Sequence, residues 1–191
     1  MKNLIKELRI SLMATILIAI LVCGLYPGVV WVVAHGLFPH RADGSLITAK
    51  GKVIGSSLLA QGFAGAQYFH PRPSAASYDA AHSGGSNWGP LSRRLIDTVR
   101  DRVISYRAEN DLPPGTPVPA DAVTASSSGL DPHISVKNAQ LQTRRVAEVR
   151  GLSLEVVMRK IEAHTEGRTL GILGEPRVNV LMLNLDLDGK L

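Results

Sequence analysis

Six histidines are the residues of this chain best suited to bind a metal ion or to move a proton near neutral pH. They are His35, His40, His70, His82, His133 and His164. None stands in a His-x₃-His pair or a His-Glu-x-x-His motif, and no Gly-x-Ser-x-Gly nucleophile motif occurs. The lone cysteine, Cys23, excludes an intramolecular disulfide and a multi-cysteine zinc site. The sequence therefore predicts no catalytic residue and no metal site.

One glycine-rich stretch has the composition of a phosphate-binding loop. It consists of Ser83, Gly84, Gly85, Ser86 and Asn87. A helix is predicted to follow it, and helix N-terminal amides attract anions. The stretch is not a Walker A motif, because no Gly-Lys-Ser/Thr follows it. A tight loop that leads into a helix is the simpler interpretation, and nucleotide contact is the alternative.

A long apolar span near the N-terminus decides the class of protein. Residues 10–34 are 25 consecutive uncharged residues, of which 20 are apolar. As a helix they would extend ~37 Å, which exceeds the ~30 Å hydrocarbon core of a bilayer. Tyr26 and Trp31 suit a membrane interface, and Pro27 with Gly28 would kink or loosen the helix near its outer end. The span predicts a transmembrane helix rather than a soluble core helix, which would carry a polar face.

A cleaved signal peptide is the competing interpretation of this span. Val32 and Ala34 fit the small-residue cleavage pattern, but the apolar run is too long for a signal sequence. Lys6 and Arg9 lie directly against the span, whereas the first basic residue after it, Arg41, is seven residues away. This asymmetry favours a cytoplasmic N-terminus. The predicted organisation is a cytoplasmic N-terminus at 1–9, a transmembrane helix at 10–34 and an extracytoplasmic domain at 35–191.

The net charge of +5 does not indicate nucleic-acid binding. The first nine residues carry three basic side chains and one acidic one, and residues 35–191 carry eighteen basic and fifteen acidic ones. Both signs are interspersed along the predicted helices, which is typical of a solvated surface.

Hydrophobic periodicity and caps predict a mixed α+β domain after the span. The predicted elements are a strand at 53–60 after a turn at 43–44, a loop at 68–90, a helix at roughly 91–108 and an extended linker at 111–134. For that helix, Pro90 suits the first helical position and Asn110 suits the C-terminal cap. Ser135 and Gly151 predict the two ends of a helix at 136–150, and Ser153 predicts the cap of the next helix. Alternating leucines predict a strand at 181–187, with a bulge or a short helical turn as the alternative.

Several short motifs follow one another along the chain. They are Tyr68-Phe69-x-x-Arg72-Pro73-Ser74-Ala75, Ser83–Asn87 with Gly89-Pro90, Ser128–Ser135, Gln142 with Arg145-Val146-Ala147 and Arg150-Gly151, and Leu173–Leu181. With the N-terminal helix before them, the chain resembles the C subunit of the bacterial Kdp-type potassium-transporting P-type ATPase, the KdpC family. Trp88 departs from the aliphatic residue more usual there. The family-motif residues are Tyr68, Phe69, Arg72, Pro73, Asp131, Pro132, His133, Gln142, Arg145, Glu175, Pro176, Arg177 and Asn179.

The resemblance implies an accessory, non-catalytic subunit of a high-affinity potassium uptake complex in the bacterial inner membrane. Its partners would be a channel-like potassium-binding subunit, an ATP-hydrolysing subunit and a small single-span peptide. The family's C subunit is described as needed for assembly and as a catalytic chaperone that raises the pump's ATP affinity. ATP is cytoplasmic, so an outer periplasmic domain would influence ATP only by coupling through the complex.

The residues leave three functional hypotheses open. In the favoured one, a small-residue face of the span docks on the channel-like subunit, and its residues are Ser11, Ala14, Thr15 and Ala19. In the second, residues 83–87 contact ATP directly in a nucleotide-binding regulator. In the third, the chain is an independent membrane-anchored envelope enzyme that uses Ser86, His70 and His133. The motif at 68–74 is expected either to dock on a partner or to fold onto its own domain.

Overall fold

The computed structural model describes residues 2–190, which divide between Leu46 and Ile47 into two compact units. One N-terminal apolar helix is followed by a domain of mixed helices and strands. This confirms the predicted α+β class.

The N-terminal unit is a long helix with a wider turn in its middle. Its segments are α1 (Lys2–Ala19), a π-helical segment (Ile20–Leu25), α2 (Tyr26–Leu37) and the short α3 (Pro39–Ala42). Over Asn3–Leu37 it is the one helix within residues 2–190 whose length and composition suit a membrane span, and it fits membrane association. The π-helical segment ends two residues before Pro27, whose ring would clash with the carbonyl of the residue four before it. The expected loosening at Pro27 therefore lies in the preceding turn.

The described residues from Leu46 onward form five strands and five helices. They are β1 (Leu46–Ala49), β2 (Lys52–Ser56), α4 (Arg93–Glu109), α5 (Ala120–Val123), β3 (His133–Ser135), α6 (Val136–Arg150), α7 (Leu154–Ala163), β4 (Thr165–Glu166), β5 (Arg177–Asn179) and α8 (Val180–Leu187). Strands β1 and β2 form one pair, and β3, β5 and β4 form an antiparallel sheet in that order. The sheet register places Val178 opposite both Ile134 and Thr165.

The helical hairpin of α6 and α7 follows its predicted caps. The Ser135 hydroxyl accepts from the Asn138 amide at 3.1 Å, and the Ser153 hydroxyl accepts from the Val156 amide at 3.3 Å. Gly151 ends α6 in the left-handed conformation, with φ of 65°, which glycine adopts without a steric cost. These caps confirm both predicted bounds of α6 and the predicted start of α7.

The prediction of a strand at 181–187 is wrong, because this segment is helix α8. The Asn179 side chain begins the helix by accepting from the Met182 amide at 3.1 Å. Leu181 and Leu185 lie on one face of the helix and Leu183 on the opposite face, and all three are buried. A helix buried on several sides shows no 3.6-residue hydrophobic pattern. The alternating leucines therefore gave the two-residue pattern that is typical of a strand.

Three other predicted bounds need correction. Helix α4 begins at Arg93 instead of Pro90, because residues 89–92 form a turn that is closed by a hydrogen bond from the Ser92 amide to the Gly89 carbonyl. Leu91 lies in this turn and is 93% exposed. The extended linker at 111–134 contains the short helix α5 and the start of β3. The predicted strand at 53–60 ends at Ser56 and pairs with β1 across a turn at residues 50–51, which both have positive φ.

The core of the second unit lies between the three-stranded sheet and helices α6, α7 and α8. Its buried apolar residues are Phe69, Ile134, Ala139, Val146, Ala147, Val157, Ile161, Val178, Val180 and Leu183. Phe69 belongs to the irregular segment 57–92, so a loop supplies one of the largest core side chains. That loop must be held in place by contacts other than a strand ladder.

Candidate functional site

The motif around Tyr68 and Phe69 folds onto its own domain. The Phe69 side chain is fully buried among core residues of the sheet and of α6 and α8. The Tyr68 hydroxyl donates to Asp188 Oδ2 at 3.2 Å, and its ring lies 5.1 Å from that of Phe63. Of the two expected roles for this motif, packing against its own domain is the one that these contacts describe.

Two buried side-chain amides, Gln142 and Asn184, hold consecutive peptide groups of this motif, and we call them the amide clamp. Asn184 accepts from the Phe69 amide and donates to the Phe69 carbonyl, both at 2.9 Å. Gln142 accepts from the His70 amide at 2.7 Å and donates to the His70 carbonyl at 3.1 Å. Each amide thus replaces the neighbouring strand that this extended backbone lacks.

Asn184 was not among the residues predicted from the sequence. It is 1% exposed, and it interrupts the run of leucines in α8. A polar amide within an apolar segment was the available signal, since a buried amide requires hydrogen-bond partners. The interpretation of that segment as a strand hid this signal by assigning Asn184 to an exposed face.

Arg145 extends the clamp with a buried guanidinium. Its Nη1 donates to the carbonyls of Ala66 and Tyr68 at 2.6 and 2.9 Å, and its Nη2 donates to Gln142 Oε1 at 2.8 Å. Its Nε donates to Asn110 Oδ1 at 3.0 Å. Burial lowers the pKa of Arg145, and the nearby Glu109 opposes that shift. The fork of donors fixes the loop at two carbonyls and supports the orientation of Gln142.

Arg150 holds the same loop from the C-terminal side. It donates to the Gln67 carbonyl at 2.6 Å and to Asp188 Oδ1 at 2.8 Å, and its guanidinium lies 5.1 Å from the centre of the Tyr68 ring. Burial raises the pKa of Asp188, but hydrogen bonds from Lys190, Arg150 and Tyr68 outweigh it and hold the pKa below its usual range. The loop is therefore anchored by a carboxylate that is ionised at neutral pH.

Four further family-motif residues form a charged row on the surface together with Glu166, which the motifs did not include. The members of the row are Arg72, Asp131, His133, Glu166 and Arg177. Arg72 contacts Asp131 at 3.1 Å, His133 Nε2 lies 3.4 Å from Glu166, and Arg177 contacts Glu166 at 2.8 Å. Burial raises the pKa of Asp131, but hydrogen bonds from His133 and Arg72 outweigh it and lower the pKa overall.

An open cleft of about 760 Å³ lies along this row. Its lining includes Arg72, Asp131, His133, Glu175, Pro176 and Arg177. Asn179 lies nearby and donates to the Ser57 carbonyl at 2.8 Å, while the Pro132 carbonyl accepts from the Val180 amide at 2.9 Å. The carboxylates of the row are already bound to basic side chains. Within residues 2–190 no group of three or more His, Cys, Asp or Glu side chains is arranged to hold a metal ion.

The glycine-rich loop is packed against a neighbouring loop. The Gly84 amide and the Ser83 hydroxyl both donate to the Ser128 carbonyl, at 2.9 and 3.0 Å. A Cβ at Gly85 would lie 2.8 Å from the Ser127 carbonyl oxygen, so this close approach requires glycine. Helix α4 begins only at Arg93, six residues after the loop ends at Asn87. Contact of residues 83–87 with a nucleotide stays a prediction.

The small-residue face predicted for docking lies on α1 and is exposed. Ser11 donates to the Leu8 carbonyl at 3.0 Å, and Thr15 donates to the Ser11 carbonyl at 2.8 Å. Ala14 and Ala19 complete the face. Because both hydroxyls are satisfied within the helix, the face is compatible with an apolar environment.

The comparisons with known proteins agree on one family. Residues 8–189 match the model of the family described as KdpC, K+-transporting ATPase, c chain. A potassium-transporting ATPase KdpC subunit of Nitratidesulfovibrio vulgaris is 52% identical over 184 residues, which is 94% of this chain and 92% of the relative. The KdpC subunits of Mycobacterium bovis and Geobacter sulfurreducens are each 50% identical, over 98% and 96% of this chain and 98% and 97% of their own lengths.

Proposed function

The chain belongs to the KdpC family of K+-transporting ATPase c chains, and we propose that it is an accessory, non-catalytic subunit of an ATP-driven potassium uptake complex. Its partners in this proposal are the channel-like potassium-binding subunit, the ATP-hydrolysing subunit and the small single-span peptide. Its role is to stabilise the assembled complex and to couple its states.

The amide clamp is the observation that carries this proposal. Family-motif residues Gln142 and Arg145 direct their polar groups at backbone and side-chain groups of their own domain, with every contact between 2.6 and 3.1 Å. Residues engaged in this way maintain a shape, which is what a subunit that acts by contact with partners requires. A catalytic role would instead favour polar groups that converge on an open cavity.

Orientation follows from the charges beside the span in this proposal. Lys6 and Arg9 are placed on the cytoplasmic side, so that residues 35–191 form a periplasmic domain. ATP then acts on this chain only through the complex. A change in ATP affinity is limited to the difference in binding free energy of this subunit for two states of the pump. The hydrogen bonds that already engage Ser83 and Gly84 support this indirect role over direct contact with ATP.

Recovery of partners from membranes tests the assembly role and the docking face together. The full-length tagged chain, extracted in mild detergent, is expected to bring down the channel-like and ATP-hydrolysing subunits. Thr15→Phe is expected to lower that recovery at least about tenfold, because a bulky ring in the middle of the small-residue face prevents close helix packing. Met13→Phe places the same aromatic ring on the opposite side of the helix and is expected to leave recovery unchanged. Failure of the unaltered chain to recover either subunit contradicts the proposal.

Protease accessibility in intact spheroplasts tests the orientation. A tag at the C-terminus is expected to be removed by external protease, while a tag at the N-terminus stays protected until the membrane is permeabilised. The reverse pattern places the domain in the cytoplasm and returns direct contact with ATP to consideration.

A further inference from the structure

A protruding hairpin between β4 and β5 is not explained by the domain's own packing, and we call residues 167–176 the arm. Every residue of the arm is exposed. The arm is nevertheless ordered by its own backbone, because Thr169 and Leu173 exchange hydrogen bonds of 2.8 and 2.9 Å. The Gly171 amide also donates to the Arg168 carbonyl at 3.0 Å. The arm is therefore a defined shape that projects from the sheet.

The tip of the arm presents three aliphatic side chains to solvent. Leu170 is 85% exposed, Ile172 is 75% exposed and Leu173 is 57% exposed. An isolated exposed leucine needs no explanation, but three within four residues at the end of a protrusion form an apolar knob. None of them belongs to the core cluster of the domain.

The backbone at Leu170 gives a second and independent observation. Leu170 has φ of 55°, in the left-handed region that a leucine side chain rarely adopts. Glycine or asparagine would occupy this position with less strain. The strain directs a large apolar side chain outward although the domain gains no packing from it. Strained residues of this kind are concentrated at functional contacts.

The charges at the base of the arm distinguish between two surfaces that it would contact, an anionic lipid bilayer and a protein. Arg168 binds both carboxylate oxygens of Glu175, at 2.9 and 2.8 Å, and Arg177 binds Glu166 at 2.8 Å. The arm contains no lysine, so it offers no free positive charge to an anionic lipid surface. A fluid bilayer also does not require a fixed leucine geometry, whereas a groove in a protein does.

The base of the arm is continuous with the open cleft of about 760 Å³, because Glu175 and Pro176 line that cleft. An apolar knob beside a polar cleft, whose Arg72 and Asp131 are paired with each other, has the anatomy of a protein interface, which combines an apolar centre with a polar rim. We propose that the arm inserts its apolar tip into an uncharged, apolar groove on the extramembrane surface of a partner subunit. This inference rests on the proposed function, since it requires that the chain assembles with partners.

The substitution Leu170→Asn separates contact with a partner from folding. Asparagine tolerates the left-handed conformation, so the isolated chain is expected to be as stable as the unaltered one or slightly more stable. Recovery of partner subunits by full-length Leu170→Asn/Ile172→Asn from membranes is expected to fall at least about tenfold. The matched control is Leu91→Asn, which removes a 93% exposed leucine outside the arm and is expected to leave recovery unchanged.

Site-specific photocrosslinking identifies the molecule that contacts the arm. A benzoylphenylalanine at position 172 of the otherwise unaltered chain is expected to crosslink to a subunit that the tagged chain co-purifies. Crosslinks only to lipid, or only to a second copy of this chain, overturn the proposal, as does normal recovery of partners by the arm variant. If the unaltered chain recovers no partner, the proposed function fails first. If it recovers partners and the arm variant does so equally, only the inference about the arm fails.

Discussion

Phe69→Ala is expected to lower the free energy of unfolding of the second unit by about 3 to 5 kcal/mol. The ring is fully buried and packs in the cluster that includes Ile134, Val146 and Leu183. Its removal leaves a cavity that these residues cannot fill, because each is held by the sheet or by a helix. The measurement is urea unfolding of the full-length chain in detergent, followed by circular dichroism.

The control for this substitution is Phe38→Ala. Phe38 follows helix α2 in the first unit and is 56% exposed, so its removal is expected to change the unfolding of the second unit by less than about 0.5 kcal/mol. A loss of less than about 1 kcal/mol for Phe69→Ala would show that the loop does not contribute to the core as described.

Gln142→Leu is expected to cost about 3 kcal/mol or more, although leucine is similar in size and more apolar. The substitution removes hydrogen bonds to the amide and carbonyl of His70, to Arg145 Nη2 and to Asn138 Oδ1. Gln142 is 1% exposed, so water cannot replace these bonds without opening the domain. An unsatisfied buried polar group costs about 1 to 3 kcal/mol, and one beside a charged group costs more.

Gln140→Leu is the matched control, because Gln140 lies two residues away on the same helix and is exposed. It is expected to change the unfolding free energy by less than about 0.5 kcal/mol. The same pair of variants also reports on the loop, since proteolysis near residues 65–70 is expected to accelerate in Gln142→Leu alone. Equal stability of the two variants would remove the amide clamp as the feature that holds this loop.

Local signals predicted the helical hairpin of α6 and α7 and the N-terminal helix well. Ser135, Gly151 and Ser153 each act through hydrogen bonds or backbone angles within four residues, so their sequence spacing is enough to locate both ends of α6 and the start of α7. The N-terminal helix is equally clear, because an uncharged span of its length requires no information about distant residues.

The contacts that define the candidate site could not be predicted in this way. Gln142 binds His70 across 72 residues, and Asn184 binds Phe69 across 115 residues. Hydrogen-bond pairing over such separations depends on the assembled fold rather than on local spacing. The motif comparison grouped Phe69, Gln142 and Arg145 as family residues, but it did not indicate that they meet in one cluster.

The separation along the chain between Asn184 and the Phe69 peptide groups that it binds has a consequence for synthesis on the ribosome. Asn184 follows Phe69 by 115 residues, which takes roughly 6 to 23 seconds at ordinary rates of bacterial synthesis. During that interval the Phe69 backbone lacks the two hydrogen bonds to Asn184 that it makes in the folded domain. The core is complete only once α8 has been synthesised, because this helix supplies Val180 and Leu183. A messenger RNA that is truncated before the codons of α8 therefore yields a chain without a completed core, and we expect proteases to degrade such a chain.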